Sequence, residues 1–353
     1  MAGRDVIVIG ASSGGVKALT ELAHALPPGL PAAVFVVCHF PVTSFSRLPE
    51  ILSRHGPLLA AHAQDGEPVL PGRIYVAPPD YHLLLKNGHV KLARGPTENS
   101  NRPAVDPLFR TAARRYGRRV VGVVLSGVLD DGTAGLQAIK ERGGIAVVQD
   151  PEDALYSGMP ENALNHVAVD HAVPAAALGP LLARLAAEPP PADDDPPPSQ
   201  EMDMETDMAE LELEAMQDFN RPGEPSGFAC PECGGALWEL RDGELIRYRC
   251  RVGHAFSPDT LLAEQSDALE AALWSALRAL EERAALAHKM AERADRRGNA
   301  LIAEKFRGQV SESEAHAGLI RKVILGRAAV NTESTSPETG EKPEAGAPPP
   351  PGA

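Results

Sequence analysis

At 353 residues with 33 Pro and 32 Gly, the chain is too long for a single core and too rich in chain-breaking residues to be packed throughout, so one sizeable domain with smaller pieces and linker is expected. Its net charge of −14 is unevenly carried: residues 1–185 hold 17 Lys/Arg against 16 Asp/Glu, and residues 186–353 hold 17 against 32, which argues against general nucleic-acid binding, where a cationic surface must face phosphates. No apolar run approaches the roughly 20 residues that span a bilayer and no signal-peptide pattern opens the chain, so a cytoplasmic protein that is not membrane-embedded is expected.

The first element is a strand over 6–9, Val6-Ile7-Val8-Ile9, followed by Gly10-Ala11-Ser12-Ser13-Gly14-Gly15 and a helix over 16–25. The G-x-S-x-G spacing puts Ser12 on a sharp strand-to-helix turn, where its hydroxyl projects beyond the sheet edge and backbone N–H groups converge. A phosphate-binding turn is the blander reading, and it loses weight because neither G-x-G-x-x-G nor a GK[ST] ending is present. The second strand, 33–37, ends in Cys38-His39-Phe40-Pro41 and places His39 just outside the sheet. A helix over 45–54, a strand over 73–76, a hairpin about Asn87-Gly88 and a helix over 107–116 follow. A strand over 120–125 then leads into Asp130-Asp131-Gly132, a helix over 133–142 and a strand over 145–148.

This alternation predicts an α/β fold over residues 1–187: a doubly wound, mostly parallel sheet with helices on both faces. Ser12, His39 and one of Asp130 or Asp131 then supply nucleophile, base and orienting acid at three comparable strand ends, the other carboxylate capping the next helix. The order Ser, His, Asp disfavours the α/β-hydrolase fold, in which the acid precedes the histidine. Arg102, Arg110, Arg114, Arg115, Arg118 and Arg119 read as a solvated helix face, Asp106 as a cap of the following helix, and Cys38 as a packed, inert thiol.

Residues 188–226, with Pro189-Pro190-Pro191 and Asp193-Asp194-Asp195, read as an acidic tether carrying a short acidic helix near Leu211. Residues 227–256 hold Cys230-Pro231-Glu232-Cys233 and, after sixteen intervening residues, Cys250-Arg251-Val252-Gly253-His254. Three thiolates and one imidazole close a tetrahedral shell without an open position, so a zinc-ribbon-like module with a structural Zn²⁺ is expected. Residues 257–328 begin at Ser257-Pro258, an N-cap and first helical position, and form a helical hairpin. Its first helix carries Leu262, Leu269, Leu273, Ala276 and Leu280 on one stripe. Protein contact or self-association through that helix fits its acidity better than DNA. The tail, 329–353, is Pro, Glu, Thr and Gly and is expected to be disordered.

Seven segments occur in order over about half the chain: Ile9-Gly10-Ala11-Ser12-Ser13-Gly14-Gly15, Cys38-His39-Phe40-Pro41, Arg73-Ile74-Tyr75-Val76-Ala77-Pro78-Pro79-Asp80-Tyr81-His82, Pro103-Ala104-Val105-Asp106-Pro107-Leu108-Phe109-Arg110, Leu125-Ser126-Gly127, Asp131-Gly132-Thr133-Ala134-Gly135 and Gly158-Met159-Pro160. Through them residues 5–185 resemble the catalytic domain of the chemotaxis protein-glutamate methylesterases, the CheB type. The resemblance implies Ser12 as nucleophile, His39 as base and Asp131 as acid, with no cofactor in catalysis. It implies hydrolysis of glutamate γ-methyl esters on methyl-accepting chemotaxis receptors, and deamidation of glutamines by the same chemistry. Backbone amides around Ser13–Gly15 and in the loop after His39 are candidate oxyanion donors. Asp130 stands where the family usually has asparagine, and Val128-Leu129 where it has methionine-glycine. Family members typically carry a receiver domain ahead of a catalytic domain that here begins at residue 5, so regulation is expected from the C-terminal appendage, from a partner, or not at all. Two further readings are a non-catalytic receptor-array adaptor and a general carboxylesterase.

Overall fold

The first two strands, β1 (Val6–Ala11) and β2 (Ala33–Cys38), are buried along their whole length, as parallel strands covered on both faces must be. The computed structural model describes residues 3–40, 46–191, 196–210, 223–242 and 245–334. Pro41 with the loop after His39, Asp193–Asp195, the helix expected near Leu211, and the tail from residue 335 lie outside the described residues. The chain forms two units, Met1–Glu264 and Gln265–Ala353.

In the first unit, β1 and β2 sit at the centre of a seven-stranded sheet completed by β3 (Leu59–His62), β4 (Arg73–Val76), β7 (Val120–Val124), β8 (Ile145–Gln149) and β9 (His171–Val173). The order is β3-β4-β2-β1-β7-β8-β9, and every pairing is parallel. The two-residue side-chain period divides the core. Ile7, Ile9, Val34 and Val36 pack beneath α1 (Gly15–Ala25), α2 (Leu48–His55) and α6 (Ala175–Ala187) through Leu19, Leu52 and Leu182. Val6, Val8, Phe35 and Val37 pack beneath α3 (Val105–Tyr116), α4 (Thr133–Glu141) and α5 (Gly158–His166) through Phe109, Leu136 and Met159. The expected hairpin is present as β5 (His82–Lys86) and β6 (His89–Ala93), with Asn87 and Gly88 both at positive φ, 52° and 80°. Its Leu83 and Leu85 join the second core. The chain reverses direction across the sheet beside β1, which makes the carboxyl end of β1 the place where an open α/β sheet collects its reactive groups.

The span read as a tether contains α7 (Gln200–Ala209), whose Ser199 cap accepts from the Met202 N–H at 3.1 Å. This helix packs on the domain: Met202 enters the second core, and Ala209 meets Leu84 and Ala93. The ribbon is a four-stranded antiparallel sheet of β10 (Glu224–Ala229), β11 (Ala236–Asp242), β12 (Leu245–Cys250) and β13 (Ala255–Phe256). Its core is small: Cys230, Leu237, Cys250, Phe256 and Leu261.

The long helix α8 (Pro258–Arg296) turns back at Gly298, φ 75°, into α9 (Ala300–Ser334). In the second unit Leu273, Leu277 and Leu280 of α8 pack against Ala317, Ile320 and Ile324 of α9. The stripe differs from the expected one. Ala276 is exposed while Leu277, Ala284, Ala287, Ala291 and Ala294 are buried, so the seam follows a 3.5-residue repeat of two helices packed side by side. Leu262 and Leu269 are 65% and 49% exposed. Among the described residues, no helix is long and apolar enough to cross a membrane.

Candidate active site

Parallel pairing of β1 with β2 sets Ala11 opposite Cys38, so Ser12 and His39 leave the same sheet edge as neighbours. The His39 N–H donates to the Ala11 carbonyl at 3.1 Å, and the Ser12 N–H to the Ser126 carbonyl at 3.0 Å, tying the turns after β1, β2 and β7 together. Ser126 was not singled out from the sequence, yet its hydroxyl donates to the Ser13 carbonyl at 2.9 Å and accepts from the Tyr156 N–H at 3.0 Å. Two glycines make room for this convergence. Gly14 adopts φ 77°, and a Cβ on Gly127 would lie 2.0 Å from Met159 Sδ and 2.9 Å from Ser12 Cβ.

The imidazole of His39 meets the carboxylate of Asp131, Nε2 to Oδ2, at 2.8 Å. Asp131 is enclosed: Oδ2 also accepts from the Val105 N–H at 2.7 Å, and Oδ1 from Asn99 Nδ2 at 3.0 Å and the Asp106 N–H at 3.3 Å. Burial pushes this carboxyl up, and the His39 bond and charge together with the Val105 and Asn99 donors more than reverse it, leaving Asp131 below the usual carboxylate range. With Nε2 given to Asp131, the ring nitrogen left to take a proton from a hydroxyl is Nδ1. The Gly15 N–H donates to the Ser12 carbonyl at 2.9 Å, which leaves Ser13 and Gly14 as the oxyanion candidates of that turn.

The neighbouring acids have other work. Asp106 caps a helix, but α4 rather than its own α3: its Oδ1 accepts from the Gly132 and Gly135 N–H groups at 3.1 and 2.7 Å, and its Oδ2 from Asn99 Nδ2 at 3.0 Å. Burial and then the charge of Asp131 push Asp106 up to about 7. Asp130 turns away from His39, its Oδ1 accepting from Ser257 Oγ at 2.7 Å and Thr260 Oγ1 at 3.2 Å, and burial pushes it up to about 6. The loop acid that replaces the family's asparagine therefore anchors the start of α8. Cys38 is buried, and burial pushes its thiol up to about 12, an inert sulfur as expected.

The arginine run is not a solvated face. Arg110 is 2% exposed and meets Glu98 at 2.6 Å, while Arg102 pairs with Asp80, Arg114 with Asp203 and Asp207, and Arg119 with Asp5. Asn99 carries no local signature in the sequence. Its contacts arise from residues brought together by the fold, Asp131 lying 32 positions away in the chain.

The four late residues gather as their spacing predicts. Cys233 Sγ lies 3.7 Å from Cys250 Sγ, and His254 Nδ1 lies 3.7 and 3.5 Å from Cys230 and Cys250 Sγ. All four donor atoms fall within 4.8 Å of one another. Ligands held about 2.3 Å (sulfur) and about 2.0 Å (nitrogen) from a tetrahedral centre stand about 3.5–3.8 Å apart, so these three separations are compatible with zinc. Glu232 reaches the other ring nitrogen of His254 at 3.3 Å, the carboxylate partner that metal-bound histidines commonly have.

Residues 7–182 match the CheB methylesterase family. A protein-glutamate methylesterase/protein-glutamine glutaminase of Anaeromyxobacter dehalogenans is 40% identical over 184 residues, 51% of either chain. A putative protein of the same name from Leptospira interrogans is 36% identical over 182 residues, covering 51% of this chain and 94% of that one. The crystal structure of the Thermotoga maritima CheB methylesterase catalytic domain superposes with a TM-score of 0.50 at 34% identity, covering 52% of this chain and all of that one. The chain spans about half the length of the curated relatives from Anaeromyxobacter and Rhodospirillum centenum that it matches.

Proposed function

The chain belongs to the CheB methylesterase family, and on that premise we propose that it hydrolyses glutamate γ-methyl esters on methyl-accepting chemotaxis receptors through Ser12, His39 and Asp131. The observation that carries the reading is the 2.8 Å bond between His39 and Asp131 at the sheet edge where Ser12 is the register neighbour of His39. His39, with its Nε2 proton on Asp131, takes the hydroxyl proton of Ser12 at Nδ1 as Oγ attacks the ester carbonyl. The tetrahedral oxyanion is met by the backbone N–H groups of Ser13 and Gly14. On its collapse the C–O bond to methoxide breaks, and His39 returns the proton so that methanol leaves. Water, deprotonated by the same imidazole, then attacks the acyl-enzyme and regenerates Ser12. A glutamine side chain passes through the same steps with ammonia as leaving group.

We further infer that Cys230, Cys233, Cys250 and His254 hold a structural Zn²⁺. Four protein ligands complete its shell, so it supplies folding energy to the ribbon and no chemistry to the ester. Receptor helices as partners, a cytoplasmic setting, and self-association through the C-terminal helices belong to the same proposal. Methanol release from methylated receptor membranes tests it. The parent protein is expected to release methanol, and Ser12→Ala to lose that activity while keeping its circular dichroism spectrum. Full release by Ser12→Ala would remove the triad. Cleavage of small chromogenic esters without receptor demethylation would make the protein a general carboxylesterase, and receptor binding without either would make it an adaptor.

A further inference from the structure

The loop that precedes α3 runs beside the ribbon. Ala255 of β13 donates its N–H to the Thr97 carbonyl at 3.3 Å, and the Asn99 N–H donates to the Ala255 carbonyl at 2.8 Å, so residues 97–99 pair with β13 as a strand would. Behind this pairing Glu98 is buried between Arg110 of α3 and Arg249 of β12, at 2.6 and 3.0 Å. Asn99 itself is 5% exposed and sits at φ 48°, a left-handed conformation that asparagine tolerates better than most residues.

The Asn99 amide makes three bonds that fix it. Nδ2 donates to Asp106 Oδ2 and to Asp131 Oδ1, both at 3.0 Å, and Oδ1 accepts from the Ser257 N–H at 3.0 Å. Asp131, held ionised, only accepts and a backbone N–H only donates, so a flip of the amide would forfeit the bonds to Asp131 and Ser257. Ser257 is held in turn, its Oγ donating to Asp130 Oδ1 and accepting from the Thr260 N–H at 3.0 Å. A chain of directed bonds thus runs from the residue that caps α8, through one side-chain amide, to the carboxylate that orients His39.

We propose that Asn99 is a positioning residue of the esterase centre and that the C-terminal ribbon acts through it. The Ser257 N–H sets the amide so that its NH₂ group separates Asp106 from Asp131 and holds Asp131 square to His39. The inference rests on the triad reading above, and it gives the appended module a part in the reaction without a group that touches substrate. The amide places one donor group between two buried carboxylates and bonds an oxygen of each, so that Asp131 keeps its orientation although Asp106 lies beside it.

Three full-chain variants test this. Asn99→Gly removes the amide at a backbone conformation glycine adopts freely, and Asn99→Asp keeps the size but replaces the donor with an acceptor. Both are expected to lower kcat by about 10–100-fold, as loss of an outer-sphere partner does, with KM nearly unchanged. Both should also lose the low-field proton resonance of the His39–Asp131 hydrogen bond while circular dichroism stays that of the parent. Ser257→Pro removes the N–H that aims the amide and is expected to shift kcat and the resonance in the same sense. Parental kcat and an intact resonance in Asn99→Gly or in Asn99→Asp would overturn the proposal, and parental values in a folded Ser257→Pro would overturn the ribbon's part in it. The triad reading is judged separately by Ser12→Ala: an inactive Ser12→Ala beside a fully active Asn99→Gly leaves the triad standing and removes only this inference.

Discussion

Asp106 and Asp131 share the same asparagine donor and still titrate in opposite directions, because only Asp131 also faces an imidazole. Asp106 is raised above the unfolded carboxyl value of about 3.9, so it binds a proton more tightly in the fold than in the unfolded chain. Its contribution to stability is therefore fully present below about pH 4 and is lost as pH rises through about 7. Asp106→Asn abolishes that titration, so the urea midpoint of the parent is expected to fall relative to that of the variant between pH 4 and pH 7. Parallel midpoint curves would show Asp106 ionised throughout. Ser12 and His39 were legible in the sequence because each directly follows a strand of β-branched residues, whereas strand position left Asp130 and Asp131 as alternatives and the resemblance alone pointed to Asp131. Asn99 was not legible, because its partners come from other elements, and Ser126, although it lies in a segment that carries the resemblance, showed no role because its partners Ser13 and Tyr156 are distant in the chain.

Elements follow the same division. The buried strands and the Asn-Gly hairpin were readable from β-branched runs and turn chemistry, whereas β3 and β9, four and three residues long, are too short to show a period. Helix α7 was read as a tether because its buried face includes Glu205, whose charge is met by Arg247 and Arg249 of β12, 42 and 44 positions away. The same reason hid Arg110: a charge buried against a distant opposite charge looks, in one dimension, like solvent-exposed surface. Where a backbone runs close to a neighbour the sequence does speak, through glycine. Gly127 of the Ser126-Gly127 turn has no space for a methyl group between Ser12 and Met159. Gly127→Ala must push Met159 or the nucleophile turn aside, at a cost of about 1–3 kcal/mol for overpacking a fitted core. A lowered melting temperature together with loss of ester hydrolysis well beyond the fraction unfolded is the expected outcome, and an unchanged melting temperature would show that the two turns are not packed as described.

Across the first unit, the appendage is held to the catalytic domain by charge as much as by apolar contact. Glu98 and Glu205 are buried among Arg110, Arg247 and Arg249. For both acids burial pushes the carboxyl up and the arginine charges more than reverse it, leaving each below its usual range. Such a cluster is costly to form and costlier to leave half made, since removing one partner of a buried pair costs about 3–5 kcal/mol. The arginines of β12 keep their positions only while the ribbon is folded, and the ribbon's five-residue apolar core is too small to fold it unaided. On the proposed reading, metal at Cys230, Cys233, Cys250 and His254 would be the condition on which the charge cluster, and through Asn99 the Asp131 carboxylate, depends. Chelation of zinc from the full chain is expected to produce a separate low-temperature unfolding transition for the ribbon, ahead of the melting of the parallel sheet. Ester hydrolysis should fall with that first transition. Re-addition of Zn²⁺ should restore both together, and a chelated protein that keeps a single transition and its full rate would show that the ribbon neither needs the metal nor supports the esterase centre.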